Sequence, residues 1–176
     1  GDFWDSRFGE SNHPKEVPTA QELLLYSVGN PAEVYAHIEL AHWGGRRIGW
    51  LKSNIIIEDI EFFGSGVHAL AGDHADNVVV RRCTFRMIGG CVWDRELFIR
   101  FGNAIEVYGG CDNYVIDNCY IYQCYDAGVT HQLSAGGDRD CKQKDVTYSN
   151  NLIEYCTYSF RQTEEIPEFL FFRIRG

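Results

Sequence analysis

Residues 77–85 read Asn-Val-Val-Val-Arg-Arg-Cys-Thr-Phe, and they are the clearest of four copies of one short pattern. The other copies begin at Asn54, Asn113 and Asp145, so that successive copies start 23, 36 and 32 residues apart. A repeat of this size is typical of a solenoid, in which each unit buries its apolar side only against its neighbours. The repeat therefore decides the architecture of the chain.

Each copy predicts two short strands joined by a bend. Apolar residues alternate with other residues on both sides of a polar pair, which is Arg81-Arg82 in the second copy. Alternation with a period of two indicates half-buried strands, and Val, Ile, Phe and Tyr favour them. Asn118 and Asn150 fall at the bend, where asparagine tolerates a left-handed backbone.

A third strand is predicted to follow in each coil. Its candidates are Val-His-Ala-Leu-Ala from Val67, Asn-Ala-Ile-Glu-Val from Asn103 and Val-Thr-His-Gln-Leu from Val129. A glycine lies beside the start of each, where a sharp corner is expected. Three strands in each coil predict three parallel sheets. A leucine-rich-repeat-like solenoid is the alternative, but it requires helical stretches, and none is indicated between residues 54 and 160.

This rhythm resembles that of right-handed parallel β-helix proteins of the pectate-lyase-like type. The stretches Arg-Phe-Gly-Asn-Ala-Ile-Glu-Val-Tyr-Gly-Gly from Arg100 and Tyr-Asp-Ala-Gly-Val-Thr-His-Gln from Tyr125 resemble segments of members grouped with glycoside hydrolases and polysaccharide lyases. The resemblance implies an all-β fold. It also implies that the third sheet and its bordering loops form a groove for a polysaccharide.

We expect one structural domain with three segments. Residues 1–50 form an irregular, partly helical segment, residues 51–160 form the coils, and residues 161–176 form a tail that caps the solenoid or belongs to a truncated coil. Asn30 and Pro31 predict a helix over residues 31–42, with Val34, Ile38 and Ala41 on one face. A weaker capping box, Thr-Ala-Gln-Glu from Thr19, predicts a second helix from Leu23. Because the chain starts at Gly1 and its last repeat is barely closed, we expect a piece of a longer protein.

Charge and hydropathy restrict the partners. The net charge of −9 argues against nucleic acids and anionic membranes, since both require a basic face, and less against a neutral sugar polymer. No apolar run is long enough to predict a membrane span, and no signal peptide is visible. We expect the full-length protein to be extracellular or periplasmic, and its oligomeric state stays open.

Seven cysteines are present, without the spacing of a zinc or redox motif. No metal site and no cofactor is therefore predicted. Cys83 and Cys119 occupy one slot of the repeat, and Cys124 and Cys156 occupy another. Stacked cysteines at equivalent inward positions pack as small hydrophobic residues. A disulfide or a reactive thiol is the alternative.

Two acidic residues are the candidate catalytic pair. If Ile105 and Val107 point into the core, strand alternation turns Glu106 outward. Asp126 precedes the third strand of the next coil, and stacked coils lie about 4.8 Å apart. Two carboxyl groups so placed can divide glycoside hydrolysis between them, with either an inverting or a retaining outcome. The structural alternative is that Glu106 is a solvated strand residue and Asp126 a turn residue.

Candidate substrate-binding residues surround this pair. The same alternation turns Thr130, Gln132 and His68 outward, whereas His131 falls on an inward position. The longest insertion, residues 89–101, carries the others. They are Trp93, Asp94 and Arg100, which suit stacking and hydrogen bonding with a sugar.

Three functions remain open from the sequence. The leading one is a glycoside hydrolase acting on a polysaccharide or glycan, with Glu106 and Asp126 as acid/base or nucleophile. The second is a polysaccharide lyase acting on uronate polymers, with Arg100 or His68 as base, and with calcium as a cofactor in this case alone. The third is a non-catalytic β-helix that binds sugars or adheres to surfaces. The substrate and its linkage are not predicted.

Overall fold

The computed structural model of the chain describes residues 2–5, 23–36, 38, 47–94, 99–132, 142–163 and 171–172. Two compact units are distinguished, one of residues 41–91 with 101–176 and a smaller one of residues 1–40 with 92–100. One short helix, α1 (Pro31–Val34), follows the second strand. In chain order the strands are β1 (Asp2–Asp5), β2 (Leu23–Tyr26), β3 (Gly49–Leu51), β4 (Ile55–Glu58), β5 (Glu61–Ser65), β6 (Leu70–Asp73), β7 (Val78–Arg81), β8 (Thr84–Ile88), β9 (Cys91–Asp94), β10 (Ile99–Phe101), β11 (Ile105–Tyr108), β12 (Cys111–Asp117), β13 (Tyr120–Cys124), β14 (Ala127–Gln132), β15 (Gln143–Ser149), β16 (Leu152–Glu154), β17 (Tyr158–Thr163) and β18 (Phe171–Phe172).

The larger unit contains three parallel sheets that the chain visits in turn. The first sheet has the order β18-β15-β12-β7-β4, the second β16-β13-β8-β5 and the third β17-β14-β11-β6-β3. Each coil thus adds one strand to each sheet, which confirms the predicted all-β parallel β-helix with three sheets. The apolar tail contributes β18, which extends the first sheet beside β15 as the strand of a further coil would.

The core lies between the three sheets and follows the alternation predicted from the repeat. Val78, Val80, Phe85, Ile116 and Ile121 are all buried, and so are Ile105 and Val107 of the third sheet. Phe62 and Phe85 hold the same position in successive coils, and their rings stack with centroids 4.7 Å apart. Like residues therefore pack on like residues from coil to coil, and this is how the repeat specifies the solenoid.

Left-handed residues form the corners of each coil. Asn118 and Asn150 have φ of 50° and 55°, as predicted for the bend between the first two sheets. A second set opens the first sheet, and a third lies within or just after the second-sheet strands. The second set is Asn54, Asn77, Asn113 and Asp145, and the third is Gly64, Met87, Gln123 and Tyr155. Since L-residues adopt this conformation only at a penalty, its recurrence at equivalent positions shows that the coils share one backbone path.

The cysteine pairs behave as predicted from their slots. Cys83, Cys119 and Cys124 are buried, Cys156 is partly buried, and all four are free thiols. Cys119 packs with Cys83, and Cys156 with Cys124, across neighbouring coils. The prediction that these cysteines pack as small core residues is therefore confirmed.

The third strand of the first coil differs from the prediction. The expected strand began at Val67, but β6 is Leu70–Asp73, and Leu70 rather than Ala69 is paired with Ile105. Residues 67–69 belong to the corner that precedes the strand. Strand alternation, from which the outward orientation of His68 was predicted, does not apply in a corner. This residue is buried, and its ring lies against Glu106.

The N-terminal segment contains less helix than predicted. Asn30 caps α1 as expected, since its Oδ1 accepts a hydrogen bond from the backbone N–H of Ala32 at 3.1 Å. The helix nevertheless ends after one turn at Val34, because Tyr35 is extended, so a helix over 31–42 is wrong. The second helix, which we expected from Leu23, is also wrong, because Leu23 begins β2, which pairs antiparallel with β1. Thr19 and Ala41 lie outside the described residues.

Among the residues that the structure describes, no helix has the length and apolar character needed to cross a bilayer.

Candidate functional site

The outer face of the third sheet carries one lateral row of side chains that includes Glu106. Strand register places Glu106 between Ala71 of β6 and Thr130 of β14. The row continues to Trp50 at one end and to Arg161 at the other. We call Trp50, Ala71, Glu106, Thr130 and Arg161 the Glu106 row. Along β11, Glu106 is less buried than Ile105 and Val107 on either side of it, which agrees with its predicted outward orientation.

The middle of the Glu106 row is enclosed. The Glu106 side chain is only 12 % exposed, and Thr130 is fully buried. The outer members are open to solvent, with Trp50 42 % and Arg161 34 % exposed. The structural alternative, that Glu106 is a solvated strand residue, is therefore wrong, and this carboxyl group lies in a mostly dry environment.

His68 is the direct partner of Glu106. Its Nε2 lies 3.3 Å from Oε2 of Glu106, and its Nδ1 accepts a hydrogen bond from the backbone N–H of Asn103 at 3.2 Å. Because Nδ1 is an acceptor, the proton of the neutral ring resides on Nε2 and is directed at the carboxyl group. Burial, together with the positive charge of Arg47, lowers the pKa of His68 to about 3. His68 is thus a neutral donor to Glu106 at physiological pH.

The carboxyl group of Glu106 titrates near neutrality. Burial raises its pKa to about 7, the positive charge of Arg47 opposes the rise, and the negative charge of Asp126 adds to it. Desolvation disfavours the charged carboxylate, which explains the direction of the shift. A substantial fraction of Glu106 is therefore protonated at pH 7, and the group can donate a proton.

Asp126 lies at the entrance to β14 and is 1 % exposed. Both of its carboxylate oxygens face Nη1 of Arg161, at 3.2 and 3.4 Å. This guanidinium supplies the opposite charge that a buried carboxylate requires. The electrostatic effect of Asp126 on Glu106 shows that the two predicted acids belong to one cluster, and that they have different partners.

Asn103 holds the entrance of the cluster together. Besides its N–H bond to His68, its Oδ1 accepts from the backbone N–H of Ala127 at 3.1 Å, and its carbonyl accepts from Ala69 at 3.0 Å. The amide thereby joins three successive coils. Because Asn103 fixes both His68 and the residue after Asp126, it sets the geometry of the two acidic groups.

Two further residues of β14 have different roles. The hydroxyl of Thr130 is buried and has no hydrogen-bond partner among the described residues. His131 points into the core as predicted, and its Nδ1 hydrogen-bonds Oε1 of Gln143, whose Nε2 donates to the carbonyl of Gly109 at 2.9 Å. Burial lowers the pKa of His131 to about 4, so it is a neutral core histidine.

The other predicted residues are Gln132, Trp93, Asp94 and Arg100. Gln132 is partly buried in the next outward row, beside Tyr108 and Thr163. Trp93 and Asp94 lie in β9, but their side chains are outside the described residues. Arg100 is partly buried in β10 and belongs, with Trp93 and Asp94, to the smaller unit.

Sequence reasoning missed Arg47, Trp50, Asn103 and Arg161. The repeat gave a misleading signal for Arg161. Inward residues of the third sheet lie 16 residues after the repeat start at Leu70 and Val129, and the same count from Asp145 falls on Arg161 itself. The last copy is one residue shorter, so that Phe160 pairs with Val129 and Arg161 is the neighbour of Thr130. Trp50 precedes the first copy, so the repeat gave no signal for it.

No group of three His, Cys, Asp or Glu side chains in the described part of the chain is placed to hold a metal ion. Comparison of the chain with models of protein families, with curated proteins and with solved structures gives no match.

Proposed function

We propose that the protein is a glycoside hydrolase that cleaves a polysaccharide or glycan at the Glu106 row. The observation that supports this most is the contrast between two neighbouring carboxyl groups. Glu106 has a pKa near 7, whereas Asp126 is paired with a guanidinium. Glycosidases separate an acid from a base or nucleophile by such differences in environment.

In this proposal, Glu106 protonates the oxygen of the leaving sugar. His68 holds the Glu106 carboxyl through its Nε2–H and so fixes the position of the acid. Asp126 acts as the carboxylate that activates water or attacks the sugar, and it is paired with the guanidinium of Arg161. Trp50, which is exposed in the same row, offers an aromatic face on which a sugar ring can stack.

The polysaccharide lyase is less well supported. His68, one of its two candidate bases, has its Nδ1 lone pair occupied by the Asn103 N–H and has a pKa near 3. It is therefore a weak base. Arg100, the other candidate, is partly buried in β10 and belongs to the smaller unit.

A non-catalytic sugar-binding module is the second candidate function. The burial of Asp126 and Thr130 favours it, because groups that substrate cannot reach in this conformation contribute to stability rather than to chemistry. In that case Trp50 and Arg161, which are exposed at the ends of the row, supply the binding surface.

The test is turnover on a panel of neutral and uronate-containing polysaccharides, followed by reducing ends and by the absorbance of unsaturated products. Hydrolysis predicts new reducing ends without that absorbance. Glu106→Gln and Asp126→Asn should each lower the rate by about 10²-fold or more, whereas Glu154→Gln on the second sheet should not. The rate should fall as the pH rises above about 7, because the proton on Glu106 is lost.

Unchanged hydrolysis in both variants would refute the assignment of the acids. Unsaturated products would indicate a lyase. Binding measured by calorimetry without turnover on any polymer that binds would support the module.

A further inference from the structure

Two pairs of cysteine thiols connect neighbouring coils, and they differ in exposure. Cys83 and Cys119 are both buried, and so is Cys124, but its partner Cys156 is partly exposed. Both pairs are reduced. The difference makes one pair accessible to a small reagent and protects the other.

The backbone register brings Cys124 and Cys156 side by side. Strands β13 and β16 pair through Tyr122 and Glu154, and the next residues, Gln123 and Tyr155, share the left-handed conformation with φ of 55° and 54°. The coils therefore stay in register as far as the two cysteines. Strands of adjacent coils lie about 4.8 Å apart, which is within the range of about 4.4–6.8 Å between Cα atoms that a disulfide requires.

The two thiols also affect each other's acidity. The neighbouring Cys124 thiol lowers the pKa of Cys156 to about 7, and the Cys156 thiol raises the pKa of Cys124. The Cys83–Cys119 pair has the same arrangement, with the pKa of Cys83 lowered to about 7. Acidity therefore does not distinguish the pairs, and access to solvent does.

We propose that Cys156 is a site of oxidation by hydrogen peroxide and that Cys124 resolves it into a disulfide between two coils. The thiolate of Cys156 attacks one peroxide oxygen, the O–O bond breaks, and hydroxide leaves and takes up the proton that the thiol had lost, which gives a sulfenic acid at Cys156 and one water. The sulfur of Cys124 then attacks that of Cys156, the S–O bond breaks, and a second water leaves. In sum, two thiols and one peroxide give one disulfide and two waters.

Peptide mapping under non-reducing conditions tests the proposal. Trypsin cuts after Arg100, Arg139, Lys144 and Arg161, so that Cys156 lies alone on the peptide 145–161 and Cys124 on the peptide 101–139. After peroxide treatment of the folded protein we expect these two peptides to be cross-linked, with a loss of two hydrogens, and we expect dithiothreitol to release them.

Serine variants identify the two roles. In Cys124→Ser the sulfenic acid at Cys156 should persist and be trapped by a dimedone reagent, and in Cys156→Ser the cross-link should disappear while Cys124 stays reduced. Cys119→Ser is the matched control, since the cross-link to peptide 145–161 should form as before. It also removes one of the two other cysteines on peptide 101–139, the remaining one being Cys111.

Three results would overturn the proposal. They are survival of the Cys156 thiol at a peroxide concentration that oxidises free cysteine, a cross-link that survives in Cys124→Ser, and oxidation of Cys83–Cys119 ahead of Cys156. Circular dichroism of each serine variant verifies that it is folded before treatment.

Discussion

At one corner of the coils, equivalent positions of three successive coils carry the same residue, whereas on the outer face of the third sheet they carry different residues. Where the first sheet opens, Asn54, Asn77 and Asn113 repeat one residue, and each amide donates to the carbonyl oxygen of the preceding one, at 2.9 and 3.0 Å. In the Glu106 row the residue changes at every strand. Repetition of one residue type is what extends a solenoid. The Glu106 row lacks this repetition, so we expect it to serve a function other than folding.

The two regions also treat charge differently. Between the first two sheets, Arg81 lies 2.6 Å from Glu58 and Arg82 lies 2.8 Å from Asp59, in ion pairs that are open to water. In the third sheet, the carboxyl groups of Glu106 and Asp126 are withdrawn from water. The exposed ion pairs contribute little to stability, and their arginines lower the pKa of Glu58 and of Asp59. Burial acts in the opposite direction on Glu106 and raises its pKa to about 7.

The largest effect is expected in the repeated core. Phe85→Ala removes a ring that is fully buried and stacked on Phe62, and it should lower the free energy of unfolding by about 4 kcal/mol. Ile56→Ala, on the outer side of the first sheet and 61 % exposed, is the matched control and should change it much less. Urea unfolding measures both variants. Equal losses would mean that burial in the coil does not set stability.

Much of the fold could be predicted because the repeat contains it. Asn118 and Asn150 at the bend, Ile105 and Val107 in the core, and the stacked cysteines all follow from equivalent slots in successive copies. What could not be predicted lies in the corners. The third strand of the first coil begins three residues later than predicted, and His68, which we expected to be exposed on that strand, lies buried in the corner before it.

Of the cluster, the sequence predicted the two acids, Thr130 and His68, although it placed His68 in the strand rather than in the corner. Orientation follows from alternation within one strand, and so Glu106 was placed correctly. Its partners come from other coils, and the side chains that meet depend on insertion lengths that differ from copy to copy. Arg161 and Asn103 were missed for this reason, as was the burial that raises the pKa of Glu106.

The second-largest effect on the free energy of unfolding is expected for Glu106→Gln, and it separates the contribution of Glu106 to stability from its contribution to activity. Its folded pKa of about 7 lies above the ordinary value of 4.5 for glutamate, so the stability present below pH 4.5 is lost as the pH rises through 7. Glu106→Gln resembles the protonated acid and avoids this loss. We expect the variant to gain up to roughly 3 kcal/mol relative to the native protein between pH 4.5 and 8.

Unfolding by urea at several pH values, for both proteins, measures this difference. Asp112→Asn, which changes an exposed acid, should show no such gain with pH. A gain in stability together with a loss of turnover would indicate that Glu106 is retained for function. A pH-independent difference would contradict the raised pKa.

The third effect tests the ion pair of Asp126. Arg161→Met leaves the buried carboxylate without its guanidinium, and we expect a loss of about 2 kcal/mol, reduced from that of a fully buried pair because Arg161 is one-third exposed. Asp126→Asn should be milder, since the freed arginine can reach water. Thermal unfolding compares the two. If Asp126→Asn is the more harmful, Asp126 has a structural role that its pairing with Arg161 does not explain.

The smallest effect on the free energy of unfolding is expected at a corner residue, Asn118. Asn118 has φ of 50°, where a residue with a Cβ is strained and asparagine is tolerated better than alanine. Asn118→Ala should therefore lower the free energy of unfolding by about 1 kcal/mol, and Asn118→Gly should not, since glycine adopts this conformation freely. Both variants lose the side-chain amide, so only the backbone argument predicts opposite outcomes. If both are destabilised alike in urea, the asparagine side chain rather than its left-handed backbone is what the corner requires.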